Sequence, residues 1–281
     1  MPPTPAPAPA PGAADDPRRP GALPAFLPLR FPSLPYANVR ELLDDPDVAS
    51  PQELRQSLRD IRMANLVGQG TAVVLRHLSD VVGDWPAGRP LQVLDLATGS
   101  GDIPRAIVGW ARRRGLTCQV LATDISPAVL RAAQDHTRGY PEIALLACDS
   151  RYPPFPSASF DLVTCSLALH HLDADGAVRT LGNMARLARH GFIVNDVERS
   201  WPAYLASVAL VYGITRNRLT RHDGPASVQR AFTRTEIRQM ATAAGIRGGR
   251  IVQHAFWRIA FVGRQVTAGA AAEDAARGPA L

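Results

Sequence analysis

Between residues 91 and 196 the chain repeats one rhythm, short apolar runs set apart mostly by segments of helical periodicity, and this limits the fold more than any other feature. The runs are LQVLDLA (91–97), CQVLATD (118–124), IALLACD (143–149), FDLVTCSL (160–167) and GFIVND (191–196). Helices are predicted from Asp102 to about Arg114, from Ser126 to about Arg138 and from about Ala174 to Arg189. Strand, helix and strand in succession make crossover units whose strands run parallel and are buried on both faces. Two further runs, RIVQHAF and WRIAFVG, have no room for a helix between them and should pair as an antiparallel C-terminal hairpin. The expected fold class is therefore α/β, a doubly wound, mostly parallel seven-stranded sheet of Rossmann-like form.

The flanks follow from local signals. Residues 1–35 are rich in Pro and Ala and cannot bury a core, so a disordered tail is expected there, with a second over 265–281. Over 36–85, a helical cap is predicted from Leu54, Leu58, Ile61, Leu66, Val73, Val74, Leu78 and Val81 at mostly three- and four-residue spacing. It starts at Ser50-Pro51 and is divided by Gly68 and Gly70. Residues 86–264 then form the main domain. Its insertion at 200–232 should hold a helix near Tyr204 to Tyr212 and an arginine-rich turn, TRNRLTRHDGP, as a possible substrate lid. The last helix should start at Thr233 or Thr235, with Thr235 and Arg238 a poor capping box, and end at Gly245.

At 281 residues and 46% hydrophobic composition the chain can fill one sizeable core. The net charge is +6, yet all 31 basic residues are arginine, which excludes a Schiff base or a lysine general base. The arginines are dispersed, with Arg112 to Arg114 the longest run, so no nucleic-acid partner is expected. Cys118, Cys148 and Cys165 lie in apolar runs without paired spacing and read as reduced thiols of a cytoplasmic protein. No run is long enough to span a membrane, no signal peptide is evident, and no His/Asp/Glu cluster has metal-ligand spacing. Nothing here fixes an oligomeric state.

The chemistry should lie where the central strands end, since open α/β sheets bind ligands at their carboxyl edge. Four strands end there in four acids: Asp95, Asp124, Asp149 and Asp196. The first leads into a loop, ATGSGD, with glycines at 99 and 101. A dinucleotide-binding loop needs a third glycine and nothing negative beside the pyrophosphate. Here Pro104 follows, and Asp95 and Asp102 flank the turn, so a cationic or zwitterionic ligand is favoured over a nicotinamide dinucleotide.

VLDLATGSGD resembles the first motif of class I S-adenosylmethionine-dependent methyltransferases, departing from it at Ala97, where a glycine is common. ATDISPAVLRAA resembles the second-strand motif, and ACDSRYPPFPSASFDLV the third and fourth. The resemblance implies S-adenosyl-L-methionine as cofactor, with Asp95, Ala97, Thr98, Gly99 and Gly101 around its methionyl end. It implies Asp124 and Ile125 at its ribose, Asp149 and Ser150 at its adenine, and Ser166 beside its methionyl part.

CSLALHHL, with the acid at 196, is similar to a branch of bacterial natural-product O-methyltransferases. That likeness implies His171 or His170 as the base for an acceptor hydroxyl, and Asp196 as the group that orients an imidazole or meets the acceptor. His222-Asp223 in the insertion is a further candidate. RHDGPASVQRAF resembles methyltransferases found beside type III polyketide synthases, which implies a phenolic polyketide as the small-molecule acceptor. The alternatives are a C-methyltransferase of a quinone or polyketide ring, a nicotinamide-dependent oxidoreductase and a nucleic-acid-binding module.

Overall fold

Every apolar run of the alternating region forms a strand in the computed structural model, which describes residues 33–45, 49–83, 85–86 and 88–264. Two helices come first, α1 (Pro51–Val67) and α2 (Gly70–Val82). The alternating region follows as β1 (Leu91–Leu96), α3 (Asp102–Arg113), β2 (Cys118–Asp124), α4 (Pro127–Thr137), β3 (Ile143–Ala147), β4 (Phe160–Ser166), α5 (Ala174–Leu187) and β5 (Ala188–Val197). The chain closes with α6 (Trp201–Ile214), α7 (Arg218–Arg230), α8 (Arg234–Ala243), β6 (Arg250–His254) and β7 (Arg258–Arg264).

The seven strands lie in the order β3-β2-β1-β4-β5-β7-β6. Strands β1 to β5 pair in parallel, whereas β7 runs antiparallel to both β5 and β6. The order reverses between β1 and β4, which opens a crevice above their carboxyl ends.

Alternation along each strand supplies both faces of the sheet. Val93, Val120, Leu162 and Ile193 pack with α2 and α3, while Leu94, Val163, Val194 and Phe261 pack with α5 and α8. Residues 70–82 thus form a helical layer against the sheet. The expected hairpin forms, and residues 255–257 connect its strands, with Phe256 and Trp257 at φ of 57° and 53°.

Three local expectations are corrected. TRNRLTRHDGP is not a turn: Asn217 caps α7 through the backbone N–H of Leu219, and Gly224 and Pro225 sit inside the helix. The glycine is there for packing, since a Cβ at 224 would meet Val211 Cγ1 at 2.7 Å across the contact with α6. The last helix starts from a full capping box of Thr233 and Glu236, not from the pair at 235 and 238. Leu34, expected in the tail, is buried against Ala203 and Val228. The rest of that tail, 1–32, and the tail expected at 265–281 lie outside the described residues. Among the described residues no helix is long and apolar enough to cross a membrane.

Candidate active site

The loop after β1 is a tight turn that brings two strand-end acids together. Its Gly99 and Gly101 have φ of 56° and 75°, the left-handed region that glycine enters freely, and Ala97 is held at 53° without that freedom. Gly99 N–H donates to Asp124 Oδ2 at 3.0 Å, and Thr98 N–H to the Thr123 carbonyl at 2.7 Å, so β2 clasps the loop of β1. The other oxygen of Asp124 accepts from Ser126 N–H at 3.0 Å, and exposed Ile125 stands between them as an apolar platform.

Asp95 lies under this loop, 1% exposed, and accepts a hydrogen bond from the Thr164 hydroxyl. Burial, reinforced by the nearby Asp102 and Asp124, pushes its pKa up to about 7. Ser166 Oγ accepts from Asn195 Nδ2 at 2.6 Å, and Asn65 Nδ2 donates to Asp102 Oδ2 at 2.6 Å. Each asparagine keeps a buried Oδ1 without a partner, and both side chains face the same glycine, Gly70. Buried acceptors left open near an acid that shuns its own charge suit an ammonium group, as the methionyl end of S-adenosylmethionine presents.

Asp149 stands apart from the other acids. It lies in the turn after β3 and is held by Arg151, whose guanidinium donates at 2.6 and 3.0 Å and keeps the carboxylate below its usual range. Ser150 lies 3.4 Å from the Thr180 hydroxyl.

The second pole of the site is built from more distant pieces. His170 and His171 sit in a short 3₁₀ turn after β4. His170 Nδ1 is 2.6 Å from Asp196 Oδ1, and Asp196 also accepts from the backbone N–H groups of Leu169 and Val197 at 3.1 and 2.8 Å. Fully buried, Asp196 would be expected to resist ionisation, yet His170 and the Val197 N–H hold its pKa below the usual value. With its oxygens so engaged it is placed to orient the ring.

His171 Nδ1 lies 2.8 Å from Asp44 Oδ1, in a 3₁₀ turn (Leu42–Asp44) near the described N-terminus. Burial would lower the pKa of His171, but the Glu41 and Asp44 carboxylates prevail and raise it to about 9. Glu41, 3% exposed, places one oxygen 3.8 Å from His170 Nε2 and the other 3.8 Å from His171 Nε2. The ligand atoms of these three residues all lie within 4.8 Å of one another, a potential metal-ligand set. Spacing along the sequence, which excluded such a cluster, carries no sign of it, because Glu41 is more than a hundred residues from its partners. His222 is not part of this pole: its Nδ1 meets Asp223 at 2.8 Å, and Asp223 accepts from Leu42 and Leu43 N–H at 2.8 and 3.0 Å. That pair ties the N-terminal turn to α7.

Above the two histidines lies a cavity of about 330 Å³. Ile61 and Ala64 of α1, Leu210 and Val211 of α6 and Val228 of α7 make its walls apolar, and Trp257 and Arg258 close one side. The insertion therefore contributes a wall, with Val211 turned inward and Trp201, Leu205 and Tyr212 largely on the surface.

Residues 93–191 match a family model described as a methyltransferase domain. That stretch is a methyltransferase domain. Among curated proteins, this methyltransferase domain is similar to ubiquinone/menaquinone biosynthesis C-methyltransferases. That of Ralstonia pickettii is 36% identical over 110 residues, 39% of this chain and 43% of the relative. That of Burkholderia vietnamiensis is 37% identical over 111 residues, again 39% and 43%. The match thus spans less than half the length of these relatives.

Solved structures share the fold at low identity. A S-adenosylmethionine-dependent methyltransferase from Aquifex aeolicus superposes with a TM-score of 0.54 at 18% identity, covering 78% of this chain and all of its own. Human N-acetylserotonin methyltransferase, in complex with the cofactor, gives 0.56 at 19% identity, covering 78% and 57%.

Proposed function

We propose that this methyltransferase transfers a methyl group to a hydroxyl of a small apolar acceptor bound in the cavity under α6 and α7. The observation that carries this reading is the His170–Asp196 pair at the floor of an apolar cavity. With Asp196 against Nδ1, Nε2 is the ring nitrogen left to act as the base. From there it can take the proton of an acceptor hydroxyl, whose oxyanion is the better nucleophile. His171 keeps its own proton at neutral pH, so it serves as a neighbouring positive charge rather than as the base. The apolar walls exclude water from the transfer.

When bound, S-adenosylmethionine supplies a methyl group on a positively charged sulfur. Asp124 and Ile125 would hold its nucleoside, with Asp149 and Ser150 near the base. Asp95, Ala97, Thr98, Gly99, Gly101 and Ser166 would hold its methionyl end. The protonated His171 and the Arg230 guanidinium together face the Glu41 and Asp44 carboxylates, so the reading needs no metal. Exhaustive dialysis against a chelator should leave turnover unchanged, and a loss restored by one divalent cation would reject this part of the scheme.

A phenolic polyketide is the acceptor we favour, from the likeness of RHDGPASVQRAF in α7. A second reading, methylation of a quinone-type ring carbon, is supported by what the curated relatives are named for. Incubation with methyl-¹³C cofactor and a set of phenols and quinols separates the two. A labelled methoxy carbon supports the hydroxyl reading, and a labelled ring methyl replaces it.

A further inference from the structure

Three arginines of the described chain are buried, and two are tied by carboxylates and carbonyls, although Arg230 keeps an open Nε. Arg199 donates to the carbonyls of Leu34 and Ala231 and to Glu236, and Arg230 to Asp44 and the His171 carbonyl. Arg258, the most buried at 4% exposure, has neither kind of partner among the described residues. Its Nη1 is closed off from solvent with no hydrogen bond, and among the described residues no carboxylate comes within ion-pair distance of the guanidinium. A buried charge without a counter-ion is costly and is normally paired.

The place of Arg258 says what would pair with it. It opens β7 opposite Val197 and points its guanidinium at the break between α1 and α2, where a Cβ at Gly68 would come within 3.1 Å of Nη2. It lines the cavity together with Trp257, His170 and Glu41, whereas Asp95, Thr98, Gly99 and Ser166 do not line it. Burial pushes its pKa down to about 10 against the pull of the Asp196 and Asp102 carboxylates, which lie beyond ion-pair distance, so it stays charged at neutral pH. A guanidinium fork in an apolar wall matches a planar carboxylate, two parallel N–H donors to two oxygens.

We propose that Arg258 is the receptor for a carboxylate on the acceptor, so that the substrates are hydroxylated, mainly apolar acids. The acid group docks on Arg258, and the hydroxyl is turned towards Glu41 and His170. This rests on the reading that the cavity holds the acceptor, and it adds a substrate class to it.

Binding of 2-, 3- and 4-hydroxybenzoate and of the matching hydroxybenzamides, measured by calorimetry in the presence of S-adenosylhomocysteine, tests this. At least one acid should bind wild type about tenfold or more tightly than its amide, as a charge-assisted bidentate pair implies. In Arg258→Gln that preference should fall to near one, with the affinity for S-adenosylmethionine changed less than about twofold. Arg258→Met should raise the melting temperature of the ligand-free protein, because it removes an unpaired buried charge.

Equal binding of acid and amide, or no acid binding at all, overturns the proposal. So does a loss of cofactor affinity with the acid preference intact, which would make the guanidinium a cofactor contact. A fall in melting temperature for Arg258→Met would make it a structural tie and also overturns it. Because binding is read without turnover, a failure of hydroxyl methylation would leave this outcome unaffected.

Discussion

The proposed cofactor side and the proposed acceptor side of this molecule are assembled in opposite ways. On the cofactor side, the loop 97–101, Asp95 and Asp124 come from two adjacent parallel strands, and the contacts that clasp the loop close within about thirty residues of chain. On the acceptor side, Glu41 and Asp44 reach His170 and His171 from the described N-terminus, and Arg230 and Arg258 reach the same region from beyond residue 229. Short-range construction makes a module that tolerates change elsewhere, because its geometry depends on few other segments. Long-range construction makes a pocket whose shape and charge can be altered by small changes in several distant segments.

The contrast can be broken from either side. The largest effect is expected on the cofactor side: Asp124→Ala and Asp95→Ala should each weaken S-adenosylmethionine about 100-fold or more, as the loss of a charged partner implies. Both should leave acceptor-analogue binding nearly unchanged in calorimetry. A comparable loss of acceptor binding would mean that the two sides are not separable.

On the acceptor side, His170→Ala and Asp196→Asn should lower kcat by about 100-fold or more with cofactor affinity intact. His171→Ala should lower it less, by about tenfold, as a nearby positive charge rather than the base. Full turnover in all three variants would remove the acid–base scheme and favour a ring-carbon acceptor.

The pH dependence sharpens the division further. Asp95 must lose its proton to meet an ammonium group, so cofactor affinity should fall about tenfold per pH unit below pH 7 and level off above it. Since the folded pKa is raised, the ligand-free protein binds this proton more tightly than the unfolded chain does. Its stability should therefore decline from about pH 4 to pH 7, and the cofactor should offset the decline. An affinity flat from pH 5.5 to 8 would remove Asp95 from the charged end of the cofactor.

The smallest effect belongs to Ala97, the alanine held at a φ of 53°. Ala97→Gly should stabilise the fold by about 0.5–1 kcal/mol, a shift of about 2 °C in melting temperature. Unchanged or lower stability would show that the methyl group contributes packing that outweighs the backbone strain.

Much of this division was already legible in the chain. VLDLATGSGD and ATD announce a strand, a glycine turn and an acid because the residues that shape them are neighbours in sequence. The two histidines and Asp196 were legible as strand-end residues, although which imidazole is basic was not. Asp44 and Glu41 decide that, and ELLDDPD carries no periodicity or motif that would mark it. Helix α7 was misread because Gly224 and Pro225, ordinarily signs of a turn, answer here to the close approach of α6. Arg258 was hidden for a simpler reason, since one arginine in thirty-one basic residues is marked only by its burial.

The sequence by itself determined the sheet, its crevice, and the strand-end acids and glycine turn at its carboxyl edge. Period-two and helical patterning and the turn chemistry of two glycines act over a few residues, so their outcome is written locally. Only the tertiary structure decided the charge on His171, the burial of Arg258 and the shape of the cavity. These arise from desolvation and from charges brought together across more than a hundred residues, and both depend on distances in space that sequence spacing does not encode.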